Sequence, residues 1–155
     1  MDPEDTSGQT VYPQQKIEDI PLGLPDNINR AFLAAAKVKT IDANAYAVLI
    51  GRVIEMVGED RNATGRSLAD LLQDLASKNE IPDKLVHVAK YLRDFRNIGA
   101  HATLGDLANE EVPILTDLCT AVLEYVYTAP FLATQAEQAV NKLKAKKGLR
   151  KSSKK

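Results

Sequence analysis

The stretch "YLRDFRNIGAHA", residues 91–102, contains the residues best suited to chemistry. It places Arg96, Asn97 and His101 close together near the end of a predicted helix. A histidine with a pKa near ~6.5 can exchange a proton with the 2′-hydroxyl or the leaving 5′-oxygen of RNA. A neighbouring arginine can stabilise the negative charge that develops on phosphorus. Because the 2′-hydroxyl is the nucleophile, this chemistry requires no metal. We therefore treat Arg96, Asn97 and His101 as candidate catalytic residues for phosphodiester cleavage.

Arg96 falls on the apolar side of its predicted helix. At ~100° per residue, it lies among the apolar positions Leu85, Val88, Ala89, Leu92 and Phe95. A guanidinium there must reach a carboxylate, a backbone carbonyl, or a cleft at the bundle surface or a subunit interface. Gly99 is well suited to end the helix, which would allow the chain to fold back and bring His101 beside Arg96. A purely structural alternative is that Arg96 pairs with a buried acid such as Glu55 and that His101 caps a helix end.

The apolar periodicity predicts an all-α fold, an antiparallel helical bundle of about five helices plus a C-terminal helix. The five predicted helices cover approximately residues 25–39, 43–58, 67–79, 83–98 and 110–127. Asp42 is the expected N-cap of the second helix, and Ser67 opens the third with Asp70 at capping-box spacing. The stretch "EDRNATGR" is an expected loop. Thr128-Ala129-Pro130 is expected to end the fifth helix, before a final helix that frays into the basic residues.

Charge divides the 155-residue chain into three parts. Residues 1–24 are an expected flexible acidic N-terminal arm, 25–140 a helical domain and 141–155 a basic C-terminal tail. Residues 141–155 contain eight Lys or Arg and no acid, which leaves 12 basic and 21 acidic residues in 1–140. An acidic body with a basic tail behaves differently from a neutral protein of net charge −1. The tail suits contact with RNA, with an acidic partner or with the body, or it is simply solvated.

The composition excludes several classes of protein. A single cysteine, Cys119, rules out an internal disulfide framework and a multi-cysteine zinc site, and it lies in an apolar run typical of a core. His87 and His101 are isolated from each other, so we expect no metal and no cofactor. His87 falls on a polar helix face and is expected to be exposed. Without a signal peptide or an apolar run near 18 residues, a cytoplasmic protein with no membrane partner is expected.

The segment "RNIGAH" resembles the R-x4-H signature of the HEPN superfamily, helical domains that include many metal-independent ribonucleases of toxin–antitoxin, CRISPR and phage-defence systems. Three ordered stretches resemble one uncharacterised bacterial branch, which also occurs fused to restriction-enzyme subunits. They are "NAYAVLIGRVIEMV", "SLADLLQDLASKNEIP" and "LRDFRNIGAHA". The resemblance covers approximately residues 25–130. It implies a HEPN-like bundle and a family with both catalytic and non-catalytic members.

The resemblance also implies roles for particular residues. Arg96 and His101 match the superfamily's catalytic pair, and Asn97 matches the polar residue that commonly follows the arginine. Active members usually pair as two protomers whose signatures line one cleft, which implies a homodimer. In the narrower branch the usual arginine falls at Arg93, which makes Arg93 a second candidate for the functional arginine.

Arg52 and Glu55 match an arginine–glutamate pair that is frequent in the narrower branch. At spacing i, i+3 they either form a structural ion pair or line the cleft as substrate-binding residues. The sequence thus supports two functions. One is a dimeric ribonuclease of a phage-defence or toxin-type system. The other is a non-catalytic module that dimerises, or binds a nucleotide, an antitoxin or a nuclease partner. The acidic body favours the module, because an RNA enzyme usually presents a basic surface, whereas the expected convergence of Arg96 and His101 favours the ribonuclease.

Overall fold

The computed structural model describes residues 20–100 and 109–154, with the side-chain surroundings of 20–92 and 110–154. The helices are α1 Asp26–Val38, α2 Ala43–Asp60, α3 Leu68–Ser77, α4 Asp83–Ala100, α5 Val112–Leu123 and α6 Ala129–Ser152. A 3-10 turn, Asn109–Glu111, precedes α5, and a π-helical turn, Glu124–Thr128, joins α5 to α6. Over these ranges no strand is present. The predicted all-α helical bundle is confirmed.

Helix α2 lies at the centre of the bundle and packs against α1, α3, α4 and α5. Its residues are apolar around most of the circumference, so the helix can bury surface against several neighbours. Its buried positions are Tyr46, Ala47, Ile50, Gly51, Val53, Ile54, Val57 and Gly58. The Thr116 hydroxyl donates its proton to the Val112 carbonyl at 3.0 Å. Thr116 Oγ1 therefore acts as the acceptor for the Tyr46 hydroxyl, which lies 2.6 Å away. This second hydrogen bond ties α2 to α5.

The predicted helix starts at Asp42 and Ser67 are confirmed. Asp42 Oδ1 accepts hydrogen bonds from the backbone N–H of Asn44 at 2.9 Å and of Ala45 at 3.1 Å. Ser67 Oγ accepts one from the backbone N–H of Asp70 at 3.1 Å. Each side chain satisfies N–H groups that the first helical turn leaves without a partner.

Helices α2 and α3 end in the same way, each with an asparagine in the left-handed region. Asn62 has φ 55° and Asn79 has φ 60°. In each case the next N–H bonds back to a carbonyl five residues earlier, Ala63 to Gly58 at 2.8 Å and Glu80 to Leu75 at 3.0 Å. This is the Schellman closure, in which asparagine can replace glycine. The expected "EDRNATGR" loop was therefore partly wrong, since the helix continues to Asp60.

Gly99 does not end α4, and that expectation was wrong. The helix continues through Gly99 to Ala100. A glycine ends a helix only when the chain adopts a left-handed residue there; otherwise it is tolerated inside a helix at a cost of about 0.5–1 kcal/mol. The fold-back that was expected to begin at Gly99 therefore does not begin before Ala100.

The helix break expected at Pro130 is also absent, so that expectation was wrong. α5, the π-helical turn and α6 form one continuous helix from Val112 to Ser152. The Ala129 N–H donates to the Glu124 carbonyl, five residues back. A proline in an α-helix removes one hydrogen bond and clashes with the carbonyl four residues earlier. The wider π-helical turn gives that carbonyl room. The expected fraying into the basic tail was also wrong, since α6 remains helical to Ser152.

Helix α6 has no buried residue. Among the described residues, two contacts at the start of α6 hold it to the bundle. The Thr128 hydroxyl, just before α6, donates to the Leu22 carbonyl at 2.7 Å, and Phe131 packs on Gly23. Gly23 has φ 80°, and a Cβ there would lie 2.7 Å from Phe131 Cβ, so this contact requires glycine. Across the described ranges, no helix is both long enough and apolar enough to cross a bilayer.

Candidate functional site

The structure gives the backbone, but not the side-chain surroundings, of Arg93, Arg96 and Asn97. All three are helical residues of α4. His101 lies outside the described residues, so the meeting of Arg96 with His101 stays a prediction. What the structure does give is the setting of α4 and of the two α2 residues, Arg52 and Glu55.

The buried face of α4 is defined by the residues that precede Arg96. Ala89 is 0% and Leu92 is 1% exposed. At ~100° per residue, helical position 96 lies ~20° from position 89 and ~40° from position 92 around the axis. Position 96 therefore continues the line of the helix that is packed into the bundle. His87, on the other side, is exposed as predicted.

Arg52 forms ion pairs with two glutamates on its own helix. Its Nη1 lies 3.6 Å from Glu55 Oε2 and 3.2 Å from Glu59 Oε1. The expected i, i+3 pair is therefore present, with Glu59 as an added partner. The Arg52 side chain is 54% and that of Glu55 32% exposed, so Glu55 is not the buried acid of the structural alternative. Ion pairs this exposed contribute about 1 kcal/mol or less to stability, and the groups can exchange partners easily.

A cleft of about 290 Å³ opens beside these glutamates, between the last turns of α2 and the start of α3. Its lining residues are Glu55, Glu59, Ala63, Gly65, Arg66, Ser67 and Leu71. A Cβ at position 65 would lie 2.6 Å from Asp70 Cβ and 2.7 Å from the Leu71 nitrogen, so only glycine allows the loop to approach α3 this closely. The cleft thus combines two carboxylates, a guanidinium and a hydroxyl at a helix N-terminus.

Polar contacts hold the loop that forms one wall of the cleft against α3. The Thr64 N–H donates to Asp74 Oδ2 at 2.9 Å, and Lys78 Nζ donates to the Asn62 carbonyl at 2.8 Å. Lys78 Nζ also lies 3.1 Å from Asp74 Oδ2. The Thr64 N–H and then Lys78 lower the pKa of Asp74. Farther along, Arg61 Nε donates to Glu80 Oε1 at 2.7 Å. Polar contacts therefore tie the wall to α3 and to the residues that follow it.

The end of α2 is also tied to the π-helical turn. The Tyr127 hydroxyl donates to Asp60 Oδ2 at 2.6 Å. Burial, and then the hydrogen bond to Asp60, raise the pKa of Tyr127. This phenol remains protonated at any physiological pH, so it acts as a structural donor.

Other candidates for chemistry are limited in the part of the chain that the structure describes. It contains no group of three His, Cys, Asp or Glu residues placed to hold a metal ion. Cys119 is buried, as predicted, and burial raises its pKa to about 12. A thiol with so high a pKa has almost no nucleophilic thiolate at neutral pH.

Sequence reasoning missed Glu59 and Arg66 as cleft residues. Glu59 follows Arg52 by seven residues, which places it on the same helix face, and this signal was available. Arg66 reaches the cleft only because the loop runs back along α3, a path that no local pattern encodes.

The fold and the cleft define an all-α helical-bundle domain. The family model described as Domain of unknown function (DUF4145) matches residues 33–151. The chain belongs to this family, and the match includes the cleft and α4. No curated protein and no solved structure matches the chain significantly.

Proposed function

We propose that the protein is a metal-independent ribonuclease of the HEPN type, acting as a cytoplasmic homodimer in phage defence or a toxin-type system. In this proposal His101 is the general acid and base, Arg96 binds the phosphate and Asn97 positions it. No cofactor takes part. Arg52, Glu55 and Arg93 border the path of the RNA.

The observation that carries the proposal is the place of position 96 on α4. It continues the line of Ala89 and Leu92, which are packed inside the bundle. Placing a guanidinium on that line is costly unless it meets an acceptor or a cleft. A phosphate-binding role gives a reason for an arginine at a position where an apolar residue would be more stable.

The topology supports a location near the α2–α3 cleft. Helices α3 and α4 pack together and are joined by residues 78–82, so they run as antiparallel neighbours. Helix α3 has 10 residues and α4 has 18, so at ~1.5 Å per residue α4 extends ~12 Å past the start of α3. That end of α3 is where Arg66 and Ser67 line the cleft. Arg66 is then a further phosphate contact.

The proposed reaction balances without a metal. The 2′-oxygen attacks the adjacent phosphorus while the imidazole of one protomer accepts the 2′-hydroxyl proton. The bond from phosphorus to the 5′-oxygen breaks, and the imidazolium of the other protomer donates a proton to that oxygen. The products are a 2′,3′-cyclic phosphate and a 5′-hydroxyl. Arg96 stabilises the charge on the equatorial oxygens in the transition state.

Cleavage of labelled tRNA and total RNA in EDTA tests the proposal. We expect wild type to leave 2′,3′-cyclic phosphate ends and His101→Ala to lose about 100-fold or more in rate. His87→Ala is the matched control, since His87 is exposed and is the other histidine of the chain. Arg96→Ala compared with Arg93→Ala identifies the functional arginine.

Two results would overturn the proposal: no cleavage by folded wild type across broad RNA substrates, or equal activity of His101→Ala and His87→Ala. Either would favour the second candidate, a non-catalytic module that dimerises, or binds a nucleotide, an antitoxin or a nuclease partner. The exposed apolar side chains of α6, among them Leu132 and Leu143, favour a protein-binding role.

A further inference from the structure

Helix α6 presents a strip of exposed apolar residues along one side. Leu132, Ala136, Val140 and Leu143 are all exposed. At ~100° per residue they fall within an arc of ~80° around the helix axis. Such a strip, left uncovered on a long helix, is typical of a surface that binds another helix.

The same strip becomes basic toward the end of the helix. Lys147 and Arg150 fall within the arc of the four apolar residues, and Lys151 lies ~20° beyond its edge. All three are exposed. The apolar segment therefore leads directly into a cationic one on the same side.

In the opposite direction, the strip continues past the π-helical turn with acidic residues. That turn accommodates one extra residue, which offsets the helix faces on its two sides by ~100°. Glu124 then lies the equivalent of seven α-helical residues before Leu132, on the same side of the helix. Asp117 lies seven residues before Glu124 in the same line. Both acids are exposed.

The outer strip, Asp117–Lys151, is complementary to itself in the antiparallel direction from Glu124 to Lys151. Leu132 and Leu143 lie at equal distances along α6 from a point between residues 137 and 138. Counted through the π-helical turn, Glu124 and Lys151 lie at distances from that point that differ by one residue, ~1.5 Å. A two-fold axis at that point brings each leucine opposite its counterpart and each glutamate opposite a lysine. A closed two-fold dimer requires such a surface.

We propose that the outer strip binds a second copy of the same chain, with the two α6 helices antiparallel about that axis. An RNA partner would use only the basic end, would gain nothing from the apolar centre and would be repelled by Asp117 and Glu124. This contact is separate from the pairing of the Arg96 and His101 sites that the proposed ribonuclease requires, so the inference goes beyond that proposal and does not depend on it.

Sedimentation of the full chain tests the apolar centre. We expect wild type to dimerise, and Leu143→Glu to raise the dimer dissociation constant by about 30-fold or more, since it places two charges in the interface. Leu149→Glu is the matched control. Leu149 is 70% and Leu143 58% exposed, but Leu149 lies ~140° from the middle of the strip. Neither side chain is buried, so both variants should fold as wild type, which circular dichroism checks.

Charge reversal tests the antiparallel register. Glu124→Lys and Lys151→Glu should each weaken the dimer by about 3- to 10-fold, and more at low salt than at high salt. The two-fold dimer contains the Glu124–Lys151 pair twice. The double variant exchanges the charges in both copies and so restores them, and it should return to within about 3-fold of wild type.

Three results would overturn the inference. One is a wild-type chain that stays monomeric at high micromolar concentration. Another is a dimer that Leu143→Glu and Leu149→Glu affect equally, which would place the interface elsewhere, for example at α4. The third is a double charge variant no better than the worse single variant. A monomer whose affinity for a labelled RNA falls with Lys151→Glu would assign the basic end to nucleic acid instead.

Discussion

Helices α2 and α6 are both long, yet they are stabilised in different ways. Helix α2 has 18 residues, eight of them buried, whereas α6 has 24 residues and none buried. Packing therefore fixes α2 in place. Helix α6 depends on its own hydrogen bonds and on residues with high helix propensity, such as Ala, Leu, Lys and Gln. The comparison teaches that most of the free energy of unfolding belongs to α1–α5, while α6 is free to take on a role in binding.

The largest expected effect comes from truncating equivalent leucines in the two regions. Leu72 of α3 is fully buried in the core cluster, whereas Leu143 of α6 is exposed. Leu72→Ala should lower the free energy of unfolding by about 2–5 kcal/mol. Leu143→Ala should change it by about 0.5 kcal/mol or less, with the monomer measured at low concentration. Urea unfolding followed by circular dichroism measures both. A similar loss in the two variants would contradict the division of stability.

Two glycines sharpen the same comparison. A Cβ at Gly65 meets the Asp70 side chain and the α3 backbone, whereas a Cβ at Gly148 meets nothing within 4 Å. Gly65→Ala should therefore cost about 1–3 kcal/mol through displacement of the loop. Gly148→Ala should instead stabilise α6 locally by about 0.5–1 kcal/mol and raise the helical signal without moving the main transition. Hydrogen exchange of the α6 amides measures the local gain.

The smallest expected effect involves two neighbouring tyrosines. Tyr127→Phe removes the hydrogen bond to Asp60 and should cost about 1 kcal/mol. Tyr125→Phe, at an exposed position, is the control and should be neutral. The pKa of Tyr127 is raised in the folded chain. Its stabilising effect is therefore complete below the pKa of an unfolded tyrosine, about 10, and is lost as the pH rises through the folded pKa. Between pH 8 and pH 11, the free energy of unfolding should decrease more steeply with pH for wild type than for Tyr127→Phe.

The features that the sequence predicted correctly depend on local chemistry. The N-caps at Asp42 and Ser67 require only a side-chain oxygen and the next turn of backbone, and the apolar periodicity was sufficient to predict the bundle. The helix ends expected at Gly99 and Pro130 were wrong, because each expectation used a local signal and both residues lie within continuous helix. At Pro130 the π-helical turn relieves the clash between the proline ring and the carbonyl four residues earlier. No sequence pattern used above predicts such a turn.

The candidate site was less accessible to sequence reasoning. The Arg52–Glu55 pair follows from helical spacing and is present. The cleft itself depends on the path of residues 61–67 along α3, which places Arg66 and Glu59 on its lining. That path is fixed by contacts between distant residues, such as Thr64 with Asp74. The roles of Arg96, Asn97 and His101 remain predictions that cleavage assays must test.

The unbroken helix from Val112 to Ser152 also has a mechanical consequence. Helix α6, at 24 residues and ~1.5 Å per residue, is a lever ~36 Å long whose inner end continues into the core helix α5. A sideways force on its tip produces the greatest torque at its base, where the π-helical turn and Pro130 leave the backbone least reinforced. Bending there would pull on Tyr127 and, through Asp60, on the end of α2 beside the cleft.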